Sequence, residues 1–153
     1  MKAEHINPFI QTLLYILETT AQIKAEISRP YLKKAPSSSG PLSGLMEISG
    51  DKKGFVSLTF SKDAILSIVS KMFGEEVNEI NDDVKDAVGE IVNMVCGQAN
   101  NKFAEQGIKL KVLSHGIKEG EEHFLPNLEE RPFMSIPVKS DFGDLFIEVS
   151  IEE

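Results

Sequence analysis

Three polar residues and one glycine fall at helical spacing in the middle of the sequence. Asp86, Glu90, Asn93 and Gly97 follow one another at steps of four, three and four, so they line up along one face of an α-helix. A carboxylate such as Glu90 can form an ion pair with a lysine on a partner. The carboxamide of Asn93 has both a donor and an acceptor, which allows it to hold one water molecule in a fixed orientation.

A water held in this way can be aimed at a phosphoryl group, in a reaction whose rate comes from positioning and electrostatics rather than covalent catalysis. Glu90 and Asn93 could therefore complete another protein's active site without forming one of their own. On spacing alone, however, the simpler interpretation is favoured, in which the two residues are merely solvated on an amphipathic helix.

The helix that carries these residues is predicted from Asn81 to Gln106. Asn81 is a favourable N-cap, the acidic residues after it suit the helix dipole, and Gly107 ends the run. One broad apolar face is formed by Val84, Val88, Ile91, Val92, Val95, Ala99 and Phe103. Gly89 and Gly97 lie on or beside the opposite face, where each costs about 1 kcal/mol relative to alanine. This loss of local stability indicates that something must approach the helix closely.

Two shorter helices are also predicted. The first opens with Asn7 as its cap and Pro8 in its first turn, where a proline is tolerated. The second is capped by Ser61, runs through Phe73 and stops at Gly74.

Strand-like patterns fall into two groups of three, separated by the last two helices. The six segments are residues 23–32, 42–49, 54–60, 108–113, 131–139 and 145–151. A turn at 50–53 makes a hairpin of the second and third strands, and residues 114–130 are interpreted as a polar loop. The order predicts an α+β fold with a largely antiparallel sheet of about six strands and three helices on one face.

Composition describes a cytoplasmic globular protein. Its 153 residues suit a single domain, residues 1–153. The net charge of −8 argues against nucleic acid and anionic membranes, whose phosphates demand a basic face. No apolar run reaches the ~20 residues that span a bilayer, and no signal peptide is expected. The single cysteine, Cys96, fits a reducing cytoplasm and is interpreted as a small buried hydrophobe.

Other kinds of site are not supported by the spacing. His5, His115 and His123 lack the intervals of a metal site, and the last two lie in a stretch rich in solvated charge. Residues 37–40 resemble a phosphate-binding loop only in composition. No GxSxG motif is present, and Cys96 has no evident histidine partner, so a side-chain nucleophile is not expected.

The motif Asp86-x-x-x-Glu90-x-x-Asn93-x-x-x-Gly97 resembles the D/S-x-x-x-E-x-x-N-x-x-x-G signature of the CheC/CheX/FliY phosphatases of bacterial chemotaxis. The single motif copy and the element order are most similar to CheX. The resemblance implies a CheC-like α/β fold and hydrolysis of the aspartyl phosphate on a CheY-type receiver domain. Glu90 would pair with the receiver's active-site lysine and Asn93 would orient the attacking water, with Asp86 and Gly97 in supporting positions.

The resemblance also implies the cofactor and the assembly. The receiver would provide the Mg²⁺, so this chain would need no metal or other cofactor of its own. CheX-like members are homodimers with one site per chain. The first helix fits this expectation, because Ala21 stands where a second motif would place its asparagine. Dimerisation through exposed strands is expected.

Two alternatives remain open from the sequence. The chain could be a non-catalytic adaptor that binds a receiver domain or a flagellar-switch component through the same helix. Alternatively, a small molecule could bind beneath the 114–130 loop, whose length is the only feature in favour of this hypothesis.

Overall fold

The computed structural model describes residues 2–34, 38–121, 123–126 and 133–152. In these residues the chain forms three α-helices and seven β-strands. The helices are α1 (Ala3–Ala21), α2 (Lys62–Phe73) and α3 (Asp82–Glu105). The strands are β1 (Glu26–Ile27), β2 (Tyr31–Lys33), β3 (Leu42–Gly50), β4 (Gly54–Phe60), β5 (Leu110–Glu119), β6 (Phe133–Lys139) and β7 (Leu145–Ile151).

The strands form one antiparallel sheet in the order β1-β6-β7-β4-β3-β5, with β2 also paired to β6. The predicted α+β class is therefore confirmed, with seven strands among the described residues instead of about six. The additional strand arises because the run 23–32 divides into β1 and β2. Pro30 lies between them and has no backbone N–H to donate to a strand ladder.

The first helix begins earlier than predicted. It starts at Ala3, so Asn7 is not its cap and Pro8 lies inside it. The missing N–H of the proline removes one intrahelical hydrogen bond. Burial of His5 and Ile6 against the core favours continuing the helix, and tertiary packing of this kind overrides local propensity.

The predicted loop 114–130 was partly wrong, because residues 114–119 belong to β5. They pair with β3 through a bulge between Gly44 and Met46. Their polarity suits an edge strand exposed to solvent. Because these residues lack an apolar pattern, the sequence did not predict this part of the strand. The hypothesis of a ligand beneath a long loop rests on the length of that loop, and the loop is shorter than predicted. Residues 122 and 127–132 lie outside the described part of the chain, as does residue 37 of the serine-rich segment.

The prediction that His123 lies in a solvated, charged stretch is also wrong. It is 9% exposed, and its ring nitrogens lie 2.7 Å from the Ser43 hydroxyl and 3.2 Å from the Ser38 hydroxyl. Nearby, Leu125 is buried, whereas Phe124 is 72% exposed. His123 therefore has a polar environment that only the folded chain assembles.

The three helices pack on one face of the sheet, and α3 lies against β3 and β5. The whole predicted apolar face of α3 is buried, as is Cys96. Gly44 on β3 allows the close approach, because an added Cβ would lie 2.2 Å from Val92 Cγ2 and 3.2 Å from Val88 Cγ1. Phe9 of α1 meets Phe103 of α3 edge to face, with ring centroids 5.9 Å apart.

Replacing Gly44 by alanine tests this packing. We expect Gly44→Ala to lower the free energy of unfolding by about 1–3 kcal/mol, the usual cost of overpacking a core, as measured by urea denaturation. Gly89→Ala in α3 is the matched control, since a Cβ there meets nothing within 4 Å. That variant should be unchanged or more stable by up to about 1 kcal/mol. A Gly44→Ala protein as stable as the unmodified chain would contradict the close contact.

Burial of Cys96 gives a second prediction, because burial raises the pKa of its thiol from 9.0 to about 11. At pH 8 the folded protein should react with iodoacetamide about a hundredfold more slowly than the urea-unfolded protein, since the thiolate is the nucleophile. Between pH 9 and 11 the unfolded chain loses this proton while the folded chain keeps it. The free energy of unfolding should therefore fall as pH rises through that range.

The matched variant for both measurements is Cys96→Ala. It should show no labelling and a shallower decline in stability between pH 9 and 11. Equal alkylation rates for the folded and unfolded protein would show that the thiol is not protected.

Candidate functional site

Helix α3 presents the four motif residues on its outer face. The helix begins after Asn81, whose side-chain Oδ1 accepts a hydrogen bond from the Val84 N–H at 3.0 Å, so the predicted N-cap is confirmed. Since the apolar face packs on the sheet, the opposite face points away from it. Asp86, Glu90, Asn93 and Gly97 are all exposed.

Glu90 and Asn93 are available to a partner. Among the described residues, no group forms a hydrogen bond or ion pair with the side chain of either residue. Residues three apart on a helix have Cβ atoms about 5–6 Å apart, so the carboxylate and the carboxamide can reach one small group together. The outward orientation that the water-positioning hypothesis requires is present.

A groove of about 450 Å³ borders this pair on the side of β5. Its α3 wall consists of Lys85, Asp86, Gly89, Glu90 and Asn93, and its β5 wall consists of Ser114, Gly116 and Ile117. The two residues that could do chemistry therefore lie on the rim of a depression rather than on a flat surface.

Two polar contacts hold α3 against β5 at the ends of this groove. At one end, the Asn100 side chain accepts a hydrogen bond from the Val112 N–H at 2.7 Å and donates one to its C=O at 2.9 Å. At the other end, Lys85 Nζ lies 2.8 Å from the Glu119 carboxylate and 3.8 Å from that of Asp82.

The Lys85 contact also determines the charge of the groove. The hydrogen bond with Glu119 raises the pKa of the Lys85 amine above its ordinary value, with smaller contributions from the charges of Glu119 and Asp82. Lys85 therefore stays protonated but is already paired. The remaining charges on this part of the rim are the carboxylates of Asp86 and Glu90, so the groove favours a cationic group.

The glycines of α3 have no explanation within the chain. A Cβ added to Gly89 or to Gly97 would meet nothing within 4 Å. Neither position needs the close packing that Gly44 provides. Both therefore leave open space on the surface beside the motif, at a cost in helix stability.

A second depression lies on the α1 side of the motif face. It is lined by Gln11 and Tyr15 of α1 and by Gln98 and Lys102 of α3. Neither Glu90 nor Asn93 lines it, and Lys102 makes its wall basic. The groove beside β5 is the one that contains the candidate site.

Sequence reasoning placed the motif residues on one face but missed the opposite wall and both contacts that fix it. Ser114, Gly116 and Ile117 fall in the predicted loop, and the sequence pattern predicts no contact for the side chains of Asn100 and Lys85. One signal was available for Asn100, since asparagine is a poor helix former.

Two further findings concern the described residues as a whole. They contain no group of three or more His, Cys, Asp and Glu side chains that could hold a metal ion. No helix in this part of the structure is long and apolar enough to cross a membrane.

Comparison with known proteins places the chain in a family. Residues 42–139 match the model of the family described as chemotaxis phosphatase CheX, and this segment contains the entire motif. Among solved structures, the chain is similar to a CheC-like superfamily protein from Shewanella sp. PV-4, at 34% identity over 100% of both chains with a TM-score of 0.90. Chemotaxis protein CheX from Vibrio vulnificus is 34% identical over 98% of this chain and 100% of its own, with a TM-score of 0.87.

The same fold occurs in the CheX–CheY–BeF3–Mg²⁺ complex from Borrelia burgdorferi, with a TM-score of 0.79 at 18% identity over 99% of this chain and 100% of that chain. No curated protein matches the chain significantly. The family match covers more than half of the 153 residues, and the full-length similarities agree with it. The chain therefore belongs to the CheX family of chemotaxis phosphatases.

Proposed function

We propose that this protein hydrolyses the aspartyl phosphate of a CheY-type receiver domain, with Asn93 orienting the attacking water and Glu90 pairing with the receiver's active-site lysine. The observation that carries the proposal is the exposure of an unpartnered carboxylate and an unpartnered carboxamide one helical turn apart, on the rim of a groove. The Borrelia burgdorferi relative of this fold forms a complex with CheY, BeF3 and Mg²⁺, which supports the choice of partner.

The proposed reaction is an in-line displacement on phosphorus. The Asn93 carboxamide holds a water molecule opposite the bond from phosphorus to the aspartyl oxygen. The water oxygen forms a new bond to phosphorus while the old bond breaks, so the products are inorganic phosphate and a free aspartate carboxylate. A carboxylate is a good leaving group and needs no protonation, which is consistent with a site that supplies position rather than a general acid.

Glu90 and the acidic rim orient the receiver. The carboxylates of Asp86 and Glu90 attract a cation, and Lys85 does not oppose it because Glu119 and Asp82 already pair with its charge. In this mechanism the receiver supplies both the lysine and the Mg²⁺, and this chain supplies no metal. Asp86 and Gly97 support the pair, the first through its charge and the second by leaving room for close approach.

The whole chain, residues 1–153, is proposed to act as one domain in the cytoplasm, where its proposed substrate would occur. The main core cluster supports this, since it draws on all three helices and on strands β3 to β7 of the described part of the chain.

We also propose a homodimer that forms through the edge of the sheet at β2. Tyr31 and Leu32 on this strand are 45% and 65% exposed, and β2 lies at the opposite end of the sheet from β5. The β5 edge is less suitable because the Asn100 side chain already binds the Val112 backbone there. A dimer through β2 leaves both motif helices accessible.

Asn93→Ala tests the catalytic proposal. We expect it to slow phosphate release from a phosphorylated receiver by at least tenfold, or about 1.4 kcal/mol of barrier, because the water loses its fixed orientation. The free energy of unfolding should not change, since Asn93 is exposed. Gln98→Ala, on the same helix but off the motif face, is the matched control and should retain full activity.

The same assay distinguishes the adaptor hypothesis. If the unmodified protein binds the phosphorylated receiver but leaves the lifetime of its phosphoryl group unchanged, the chain is an adaptor and the catalytic proposal is wrong.

Leu32→Lys tests the dimer. Light scattering after size exclusion should give the mass of a dimer for the unmodified chain and of a monomer for this variant, because a buried lysine opposes strand pairing. Phe73→Ser, which changes another exposed apolar residue, should remain dimeric. A Leu32→Lys protein that stays dimeric would exclude the β2 edge.

A further inference from the structure

Gly89 lies in the wall of the site but has no function in the fold. It sits in the first half of α3, where glycine costs about 1 kcal/mol relative to alanine. An added Cβ would meet nothing within 4 Å. Gly44 and Gly54 differ, since a Cβ at either would lie within 3.0 Å of neighbouring atoms. The packing of the chain therefore does not require glycine at position 89, and the absence of a side chain there leaves open space on the surface.

This space opens onto the groove between α3 and β5. Gly89 is one turn before Asn93 on the flank that faces β5, and both line the groove. Across the groove lies Gly116 of β5. Its φ of +87° by itself favours glycine, whereas the helical backbone at Gly89 does not.

Two polar contacts link the walls of the groove, one on either side of it. Asn100 binds the Val112 backbone, and Lys85 pairs with Glu119. The two α3 residues are fifteen positions apart, or roughly 22 Å along a helix at 1.5 Å per residue. Contacts on both sides of the groove oppose a movement of α3 away from β5. A side chain at position 89 would reduce the space directly.

The chemistry of the rim indicates the occupant. A lysine paired with Glu90 must come from a backbone that passes within the length of its side chain, and the groove borders Glu90 directly. The depression on the α1 side is less suitable, because Lys102 in its wall would repel a lysine. The acidic rim of the β5 groove also disfavours a free phosphate or nucleotide.

We propose, as an extension of the proposed function, that the groove between α3 and β5 seats the receiver segment that carries the lysine paired with Glu90. Gly89 is the positioning residue that admits this segment, and with Gly116 it limits which receivers fit.

The test measures binding without chemistry. The full-length chain is titrated with a receiver loaded with BeF3 and Mg²⁺, and binding is followed by fluorescence anisotropy. Gly89→Leu should weaken binding at least tenfold, and Gly89→Ala by no more than about threefold, since the alanine side chain is a single methyl group. Asn101→Leu is the matched control, because Asn101 is exposed on α3 but does not line the groove, and its affinity should not change.

Kinetics provide the second measurement. With phosphorylated receiver as substrate, Gly89→Leu should raise KM while leaving kcat within about twofold, whereas Asn93→Ala lowers kcat. Urea denaturation checks that Gly89→Leu is folded. Unchanged affinity and KM for a folded Gly89→Leu protein would overturn the inference while leaving the proposed function intact.

The proposed function has a separate failure. If the unmodified chain binds the BeF3-loaded receiver but does not hydrolyse the phosphorylated one, catalysis is wrong and the groove is still tested by the affinities. If the unmodified chain binds neither form, both proposals fall.

Discussion

The close contact between α3 and β3 at Gly44 determines which residues of α3 face outward. Val92 and Val88 reach the strand backbone only because Gly44 has no side chain, and this contact fixes the rotation of the helix about its axis. Glu90 and Asn93 are then turned away from the sheet. A small residue on a core strand therefore controls which side chains face a partner, although it lies on the opposite side of the helix from them.

The outer face of α3 is weak as a helix and is stabilised from elsewhere. Glycine at positions 89 and 97 and asparagine at position 93 all lower helix propensity. The buried apolar face compensates for this, and the contacts of Asn100 and Lys85 with β5 hold the helix at both ends of the groove. The chain can leave open space around the motif because its stability does not depend on that face.

The sequence was sufficient where local chemistry determines structure. The helix caps at Asn81 and Ser61 and the strands β4 and β7 appear where the pattern placed them. It failed where distant contacts decide. The second half of β5 is polar and becomes a strand only by pairing with β3, and His123 is buried only because Ser38 and Ser43 meet it in the folded chain. The motif face could be predicted because it is formed by a single helix. The groove could not, because it lies between two elements that are distant in the sequence.

The exposure of the Glu90 and Asn93 pair has a consequence for specificity. An exposed carboxamide can orient water for any phosphoryl group that reaches it, so the pair alone cannot distinguish one phosphorylated protein from another. Selection must then come from surfaces that limit approach to Asn93. In the described part of the chain, the groove that contains Asn93 is also lined by Gly89 and Gly116 and by the carboxylates of Asp86 and Glu90. Under the proposed mechanism, shape and charge around the pair, rather than the pair itself, therefore decide which partner can bring its phosphoryl group to the water.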